Sequence, residues 1–275
     1  MSGKVYFIGA GPGDLELLTV KGQRIIQGAD LIIYTDSLVN PEIASLAKVG
    51  AQVEKSAGMV LEDMVALMIT AAKEGKTVAR VHTGDPSVFG AVLEQAVALR
   101  KAGVDYEIVP GVSSMFAAAA ALGAELTVPE LSQTVIVTRM EGRTPVPPGE
   151  KLRDLAAHQA TIVLFLSITL LGNVVRELLA GGYSKDTPIN VVYKATWPDQ
   201  VIVSGTLEDI AEKVREARIN SQSIIIVGKV LHPSVIEGDE DHRSKLYDES
   251  FTHSYRKGRE PLTKRATARA RVAKE

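Results

Sequence analysis

Apolar residues in this chain come in short runs, and the stretches between the runs repeat apolar positions every three or four residues. In the first half the runs are VYFIGA, ADLIIY, AQVEKS, TVARVH and DYEIVP, each read as a strand. Helical periodicity lies between them near Leu15–Gln27, Leu61–Glu74 and Ala91–Gly103. Short buried strands separated by helices predict a parallel α/β sheet. PGVSSMFAAAAALGAEL follows, a helix that Ser113 or Ser114 can cap and whose alanines suit close packing on a sheet. The pattern then restarts: QTVIVTR, TIVLFLSI, NVVYKA and SIIIVGKV read as strands, with helices near Leu152–His158, between the second and third of these strands, and near Leu207–Arg218. The expected fold class is α/β, as two α/β domains covering 1–130 and 131–236, with a polar, basic tail at 237–275.

Composition narrows the chemistry. Net charge is −2, so no overall field draws nucleic acid. The chain has no cysteine, which excludes disulfides, a thiolate nucleophile and iron–sulfur ligation. No H-x-x-x-H pair occurs, and no metal site is expected. The longest apolar stretch, ATIVLFLSITLLGNVV, is short of the ~20 residues a spanning helix needs, and polar residues interrupt it. No signal peptide is visible. The reading is a soluble cytoplasmic protein with neither membrane nor nucleic-acid partner. The last fifteen residues, rich in Lys, Arg and Ala, read as a solvated tail rather than a polyanion-binding arm.

Four loops stand at expected strand ends: GAGPGD (9–14), HTGDPSVFG (82–90), PGVSS (110–114) and KATWPDQ (194–200). Ligands of open parallel sheets bind beyond the carboxyl ends of strands. The first loop nearly matches the dinucleotide fingerprint G-x-G-x-x-G, but Asp14 occupies the third glycine's place and has the wrong sign for a pyrophosphate. A nicotinamide oxidoreductase is therefore disfavoured. Gly84 permits close backbone approach, and Asp85 offers acceptors for an ammonium or a ribose diol; equally, Asp85 could cap the helix expected after Pro86. Asp36 is either an acidic ligand residue or a turn residue, and a lone lysine such as Lys55 is exposed by default. Arg139 and Arg143 flank Glu141, as a surface ion-pair cluster or as clamps for ligand carboxylates. Ser113 and Ser114 lack a G-x-S-x-G context, which argues against a hydrolase nucleophile.

GAGPGD, the GDP turn and PGVSS, in that order, resemble the tetrapyrrole methylase family, and the resemblance runs from Lys4 to about Pro233. YTDSLVNPE, KSAGMVLED and TRMEGRTPVPPGE are similar to the branch that methylates C-11 of precorrin-4 or cobalt-precorrin-4 in vitamin B12 biosynthesis. The resemblance implies S-adenosylmethionine as donor, S-adenosylhomocysteine as product, a tetrapyrrole substrate and a homodimer. It places the donor between the domains, against Pro12, Thr83, Gly84, Asp85, Val88, Ser113, Ser114, Leu166 and Ala195. It also implies Asp36 and Lys55 as acid/base groups. A macrocycle carrying several carboxylates would need basic walls, for which Lys55, Arg139, Arg143 and Lys194 are candidates. The alternatives are a family member acting at another ring position or on a modified protein histidine, and a nucleotide-responsive binding module without turnover.

Overall fold

The computed structural model describes residues 3–239 and 242–259, so the basic run at 261–275 lies outside the described residues. Its first sheet contains β1 (Val5–Gly9), β2 (Leu31–Tyr34), β3 (Gln52–Lys55), β4 (Val78–His82) and β5 (Tyr106–Val109), in the order β3-β2-β4-β1-β5. Every pairing in it is parallel. Both faces are covered. Phe7, Leu31 and Ile33 pack with Met64 and Met68 of α2 (Leu61–Lys73) and with Ala96 and Leu99 of α3 (Val92–Lys101). On the other face Ile8, Ile32 and Val81 pack with Ile26 of α1 (Val20–Gly28). That is why β2 is an apolar run without alternation and why every residue of β4 is buried, Arg80 and His82 included. Each fully buried Phe, Ile or Leu contributes about 1.5–3 kcal/mol relative to an exposed one.

The second sheet contains β6 (Val135–Arg139), β7 (Thr161–Phe165), β8 (Pro188–Tyr193), β9 (Val201–Thr206) and β10 (Ser223–Val227), in the order β6-β7-β10-β8-β9. It is mixed: β6 and β7 are parallel, and β10 runs antiparallel between β7 and β8. Ile162, Leu164 and Ile225 pack under α5 (Leu152–Ala156), α6 (Leu171–Ala180) and α7 (Ile210–Glu216). The opposite face, Val163, Val192, Ile224 and Ile226, is covered by Met115 and Ala117–Ala119 of α4 (Ser114–Ala121). The alanines do make the tight helix–sheet contact expected of them, and the sheet they meet is the second one.

Two local readings are corrected. The segment 15–27 is not one helix: a 3₁₀ turn spans Leu15–Leu17, and α1 starts anew at Val20, where the Thr19 hydroxyl accepts from Gly22 N at 3.1 Å. Strand β9 escaped notice because it is a half-exposed edge strand ending in Ser-Gly-Thr, with no apolar face long enough to show a period.

The parallel order puts the ends of β4, β1 and β5 side by side, so three loops distant in sequence converge. Their glycines touch. A Cβ on Gly9 would lie 2.5 Å from Gly84 O and 2.6 Å from Gly111 Cα, and one on Gly111 would lie 2.3 Å from Gly84 O. The neighbours are backbone and cannot rotate away. Gly111→Ala is therefore expected to lower unfolding free energy by at least about 3 kcal/mol, or to prevent folding, at the upper end of overpacking costs. Urea denaturation with an unchanged midpoint would contradict this.

Candidate active site

Where the two sheets face each other the chain encloses a cavity of about 180 Å³. The first sheet contributes Pro12 after β1, Thr83, Gly84, Asp85 and Val88 after β4, and Ser113 and Ser114 after β5. The second contributes Leu166 after β7 and Ala195 after β8. All nine positions named as donor-binding thus line one cavity, together with Lys194. Most of the remaining wall is apolar, with Phe165, Ile168, Val192 and Ile224.

The loops hold one another in place through the backbone. Gly11 N donates to Gly84 O at 3.2 Å, and Gly84 N to Gly11 O at 2.8 Å. Both glycines have positive φ, +76° and +58°, a region where a side chain is strained. Asp85 spans two loops: Gly111 N donates to Oδ2 at 2.9 Å and Ser87 N to Oδ1 at 2.8 Å. The wall reading of Asp85 holds, but the helix expected after Pro86 is absent: residues 86–89 form a turn that Asp85 ties through Ser87 N, and α3 starts only at Val92, with no side-chain cap. Partial burial raises its pKa, but these N–H donors outweigh that and hold the carboxyl below its ordinary value. Asp14 caps the 3₁₀ turn through Glu16 N at 2.9 Å and is not on the cavity wall.

His82, at the end of β4, is buried, and burial together with neighbouring Arg80 pushes it down to about 3, so it is neutral at ordinary pH. Arg80 is a buried guanidinium, lowered to about 10 by burial. It spends its donors on Ile33 O and Val81 O, Thr35 Oγ1 and Gln95 Oε1. That ties the segment leading to Asp36 onto β4 and α3.

Asp36 and Lys55 stand at the same end of the first sheet but outside the cavity wall. Asp36 accepts from Ala57 N at 2.9 Å, a loop-to-loop tie, and Lys55 is exposed. Arg139 is likewise outside; its guanidinium donates to Thr144 O at 3.1 Å and Pro145 O at 2.7 Å. Arg143, exposed in the loop so held, has no partner among the described residues. Lys194 pairs with Asp199 at 2.6 Å.

Leu166 is unusual. It is 66% exposed, has φ of +52°, and is pinned from both sides: the Ser167 hydroxyl donates to Phe165 O at 2.6 Å and accepts from Met140 N at 2.7 Å. Strain and exposure together in a large apolar residue on a cavity wall are the mark of a surface awaiting a ligand.

Several wall residues were not foreseen. Leu38 and Trp197 fall in YTDSLVNPE and KATWPDQ, loops already singled out, and could have been found there. Gln222, Ser223 and Ile224 carry no motif; they arrive because antiparallel β10 begins where β7 and β8 end.

Residues 4–211 match the family model for tetrapyrrole (corrin/porphyrin) methylases. The chain belongs to the tetrapyrrole methylase family. It is 56% identical to the cobalt-precorrin-4 C(11)-methyltransferase of Priestia megaterium, over 93% of this chain and 98% of that one. A solved cobalt precorrin-4 methyltransferase of cobalamin biosynthesis superposes with a TM-score of 0.82 at 56% identity, covering 84% of this chain and 96% of that structure. The uroporphyrin-III C-methyltransferase of Thermus thermophilus, solved with S-adenosyl homocysteine, superposes with a TM-score of 0.70 at 29% identity, covering 83% and 99%. Tetrapyrrole methylases thus supply a common architecture for both sheets. Among the described residues no three His, Asp or Glu side chains gather as a metal-ligand set, and no helix is long and apolar enough to cross a membrane.

The titratable side chains on the wall are Asp85 and Lys194, and each is already engaged. The cavity is built to bind and align.

Two outcomes are expected. The lowered Asp85 pKa stabilises the fold above the unfolded-state value, near 3.9, and this contribution disappears as pH falls through the folded-state value. Asp85→Asn should therefore lose stability at pH 7, by about 1–2 kcal/mol, and differ less from the parent as the acid is approached; parallel urea titrations at pH 7 and pH 3 read this. Leu166→Gly relieves left-handed strain of about 1–2 kcal/mol. Its thermal midpoint should not fall, while calorimetry should show weaker binding of S-adenosylhomocysteine.

Proposed function

We propose that this chain transfers the methyl group of S-adenosylmethionine to C-11 of cobalt-precorrin-4, or of its metal-free form, in cobalamin biosynthesis. The observation that carries this is the 56% identity to a cobalt-precorrin-4 C(11)-methyltransferase across nearly the whole of both chains. The wall supports it physically. It is largely apolar, its one lysine is paired with Asp199, and no set of basic side chains awaits a phosphate. A sulfonium donor lacks phosphates and asks for none.

S-adenosylmethionine brings an already activated methyl group. The protein's part is alignment and dryness: apolar Val88, Leu166 and Ala195 exclude water, and Asp85, kept ionised by Gly111 and Ser87, presents acceptor oxygens to polar or cationic groups of the donor. Holding two reactants in line is worth roughly 7–11 kcal/mol in well-oriented systems. Asp36 is the candidate base and Lys55 its companion, both at the end of the first sheet from which the cavity loops leave. Lys194, Arg139 and Arg143 form the basic wall for the carboxylates. Arg139 acts by shaping the loop that carries Arg143, whose first residues are tied to the segment after β7 by the Met140–Ser167 bond. The reading keeps a domain division near residue 130 and a cytoplasmic homodimer.

Incubation with methyl-labelled S-adenosylmethionine and candidate precorrins, followed by NMR location of the methyl, tests the proposal. Label at C-11 is expected; label at another ring carbon would replace the ring assignment, and none with any precorrin would favour a binding module. In Arg139→Ala, macrocycle affinity should fall about tenfold, because the loop carrying Arg143 loses its ties to Thr144 O and Pro145 O. Affinity for S-adenosylhomocysteine should stay unchanged. Unaltered macrocycle affinity by calorimetry would remove Arg139 from the substrate wall.

A further inference from the structure

Trp197 is the sole tryptophan of the chain, and it lies on the cavity wall. It comes from the connection between β8 and β9 in the second sheet. Its indole Nε1–H donates to Pro12 O, in the loop after β1, at 2.9 Å. The next residue, Gly13, is buried against the ring: a Cβ there would sit 2.1 Å from Nε1. On the ring's other contacts Lys194 Nζ lies 5.2 Å from its centroid, itself paired with Asp199 at 2.6 Å. One residue earlier, Thr196 Oγ1 accepts from Asp14 N at 3.1 Å. Lys194 and Thr196 hold positive φ, +45° and +74°, so the connection is bent into a strained form that brings the ring and the hydroxyl to the same facing loop.

We infer that Trp197 is a positioning residue for the donor: it fixes the Pro12 carbonyl and, through it, the separation of the two cavity walls. A gap-filling aromatic would need neither the N–H donor nor a glycine opposite it. This rests on the reading that the cavity takes S-adenosylmethionine.

Trp197→Phe keeps an aromatic ring against Gly13 and under Lys194, and removes only the N–H donor and the second ring. Losing a hydrogen bond that orients a binding wall should raise the Kd for S-adenosylhomocysteine about five- to tenfold. The KM for S-adenosylmethionine should rise by the same factor with kcat within about twofold, because the contact serves bound ground state and transition state alike. A merely destabilised protein would show the reverse, a lower kcat at unchanged KM, and that result would overturn the assignment. So would parental Kd and KM.

The parent protein supplies a second, independent test that needs no variant. With one tryptophan, its emission belongs to Trp197, and titration with S-adenosylhomocysteine should change it with the same Kd that calorimetry gives. Flat emission alongside calorimetric binding would overturn the role of Trp197 while leaving the donor reading intact. Absence of calorimetric binding would instead sink the donor reading. Gly13→Ala, which displaces the ring from the opposite side, should shift the emission and weaken binding in the same sense; parental values for both would count against the inference.

Discussion

Three backbones touch where β4, β1 and β5 end, and the first wall of the site depends on that contact. Gly9, Gly84 and Gly111 approach so closely that none of the facing atoms is a side chain free to yield. Once the loops are that close, their polar groups satisfy each other, Gly11 with Gly84 and Gly111 with Asp85. The side chains that remain at the junction, from Pro12, Thr83 and the two serines, are left to form the cavity wall. The glycines of the opening loop resemble a phosphate cradle in sequence; in space two of their number serve chain-to-chain packing.

The second wall arises from a different logic. A mixed sheet presents both strand ends and strand starts at one edge. Here β7 and β8 finish where β10 begins, so Leu166, Ala195 and Ile224 share a boundary although a long stretch of chain separates them. Much of the left-handed backbone outside glycine gathers here as well, at Leu166, Lys194, Thr196 and Gln222. Such strain costs of order 1–3 kcal/mol per residue and persists only where surrounding bonds over-determine it. The bonds of Ser167 to either side of Leu166 are an example.

The legible and illegible parts of the sequence divide along these lines. Strands buried on both faces, such as β2 and β10, announce themselves as apolar runs, and loops containing Gly and Pro mark their ends. Edge strand β9 does not, because half its residues face outward and packing imposes no period on them. The helix expected at 15–27 was split by Thr19, whose hydroxyl can cap a new helix as readily as it can sit inside one. All nine residues that the family resemblance implies for the donor lie together on one cavity wall. Residues whose place is set by tertiary topology alone, such as Gln222, or by burial of a charge, such as Arg80, left no local trace.

The position of α4 carries one more consequence. This helix follows β5 directly, yet its apolar side belongs to the second sheet, against Val163, Val192, Ile224 and Ile226. During synthesis the first five strands and α4 leave the ribosome together, well before β10 exists. Until Ser223–Val227 is made, the surface that Met115 and the alanines behind it cover lacks its central strand, β10. The nascent chain therefore carries an incompletely covered helix from the synthesis of α4 until that of β10, when intermolecular association is the main hazard for partly folded chains. Completion of the last strand is then the event that shelters it.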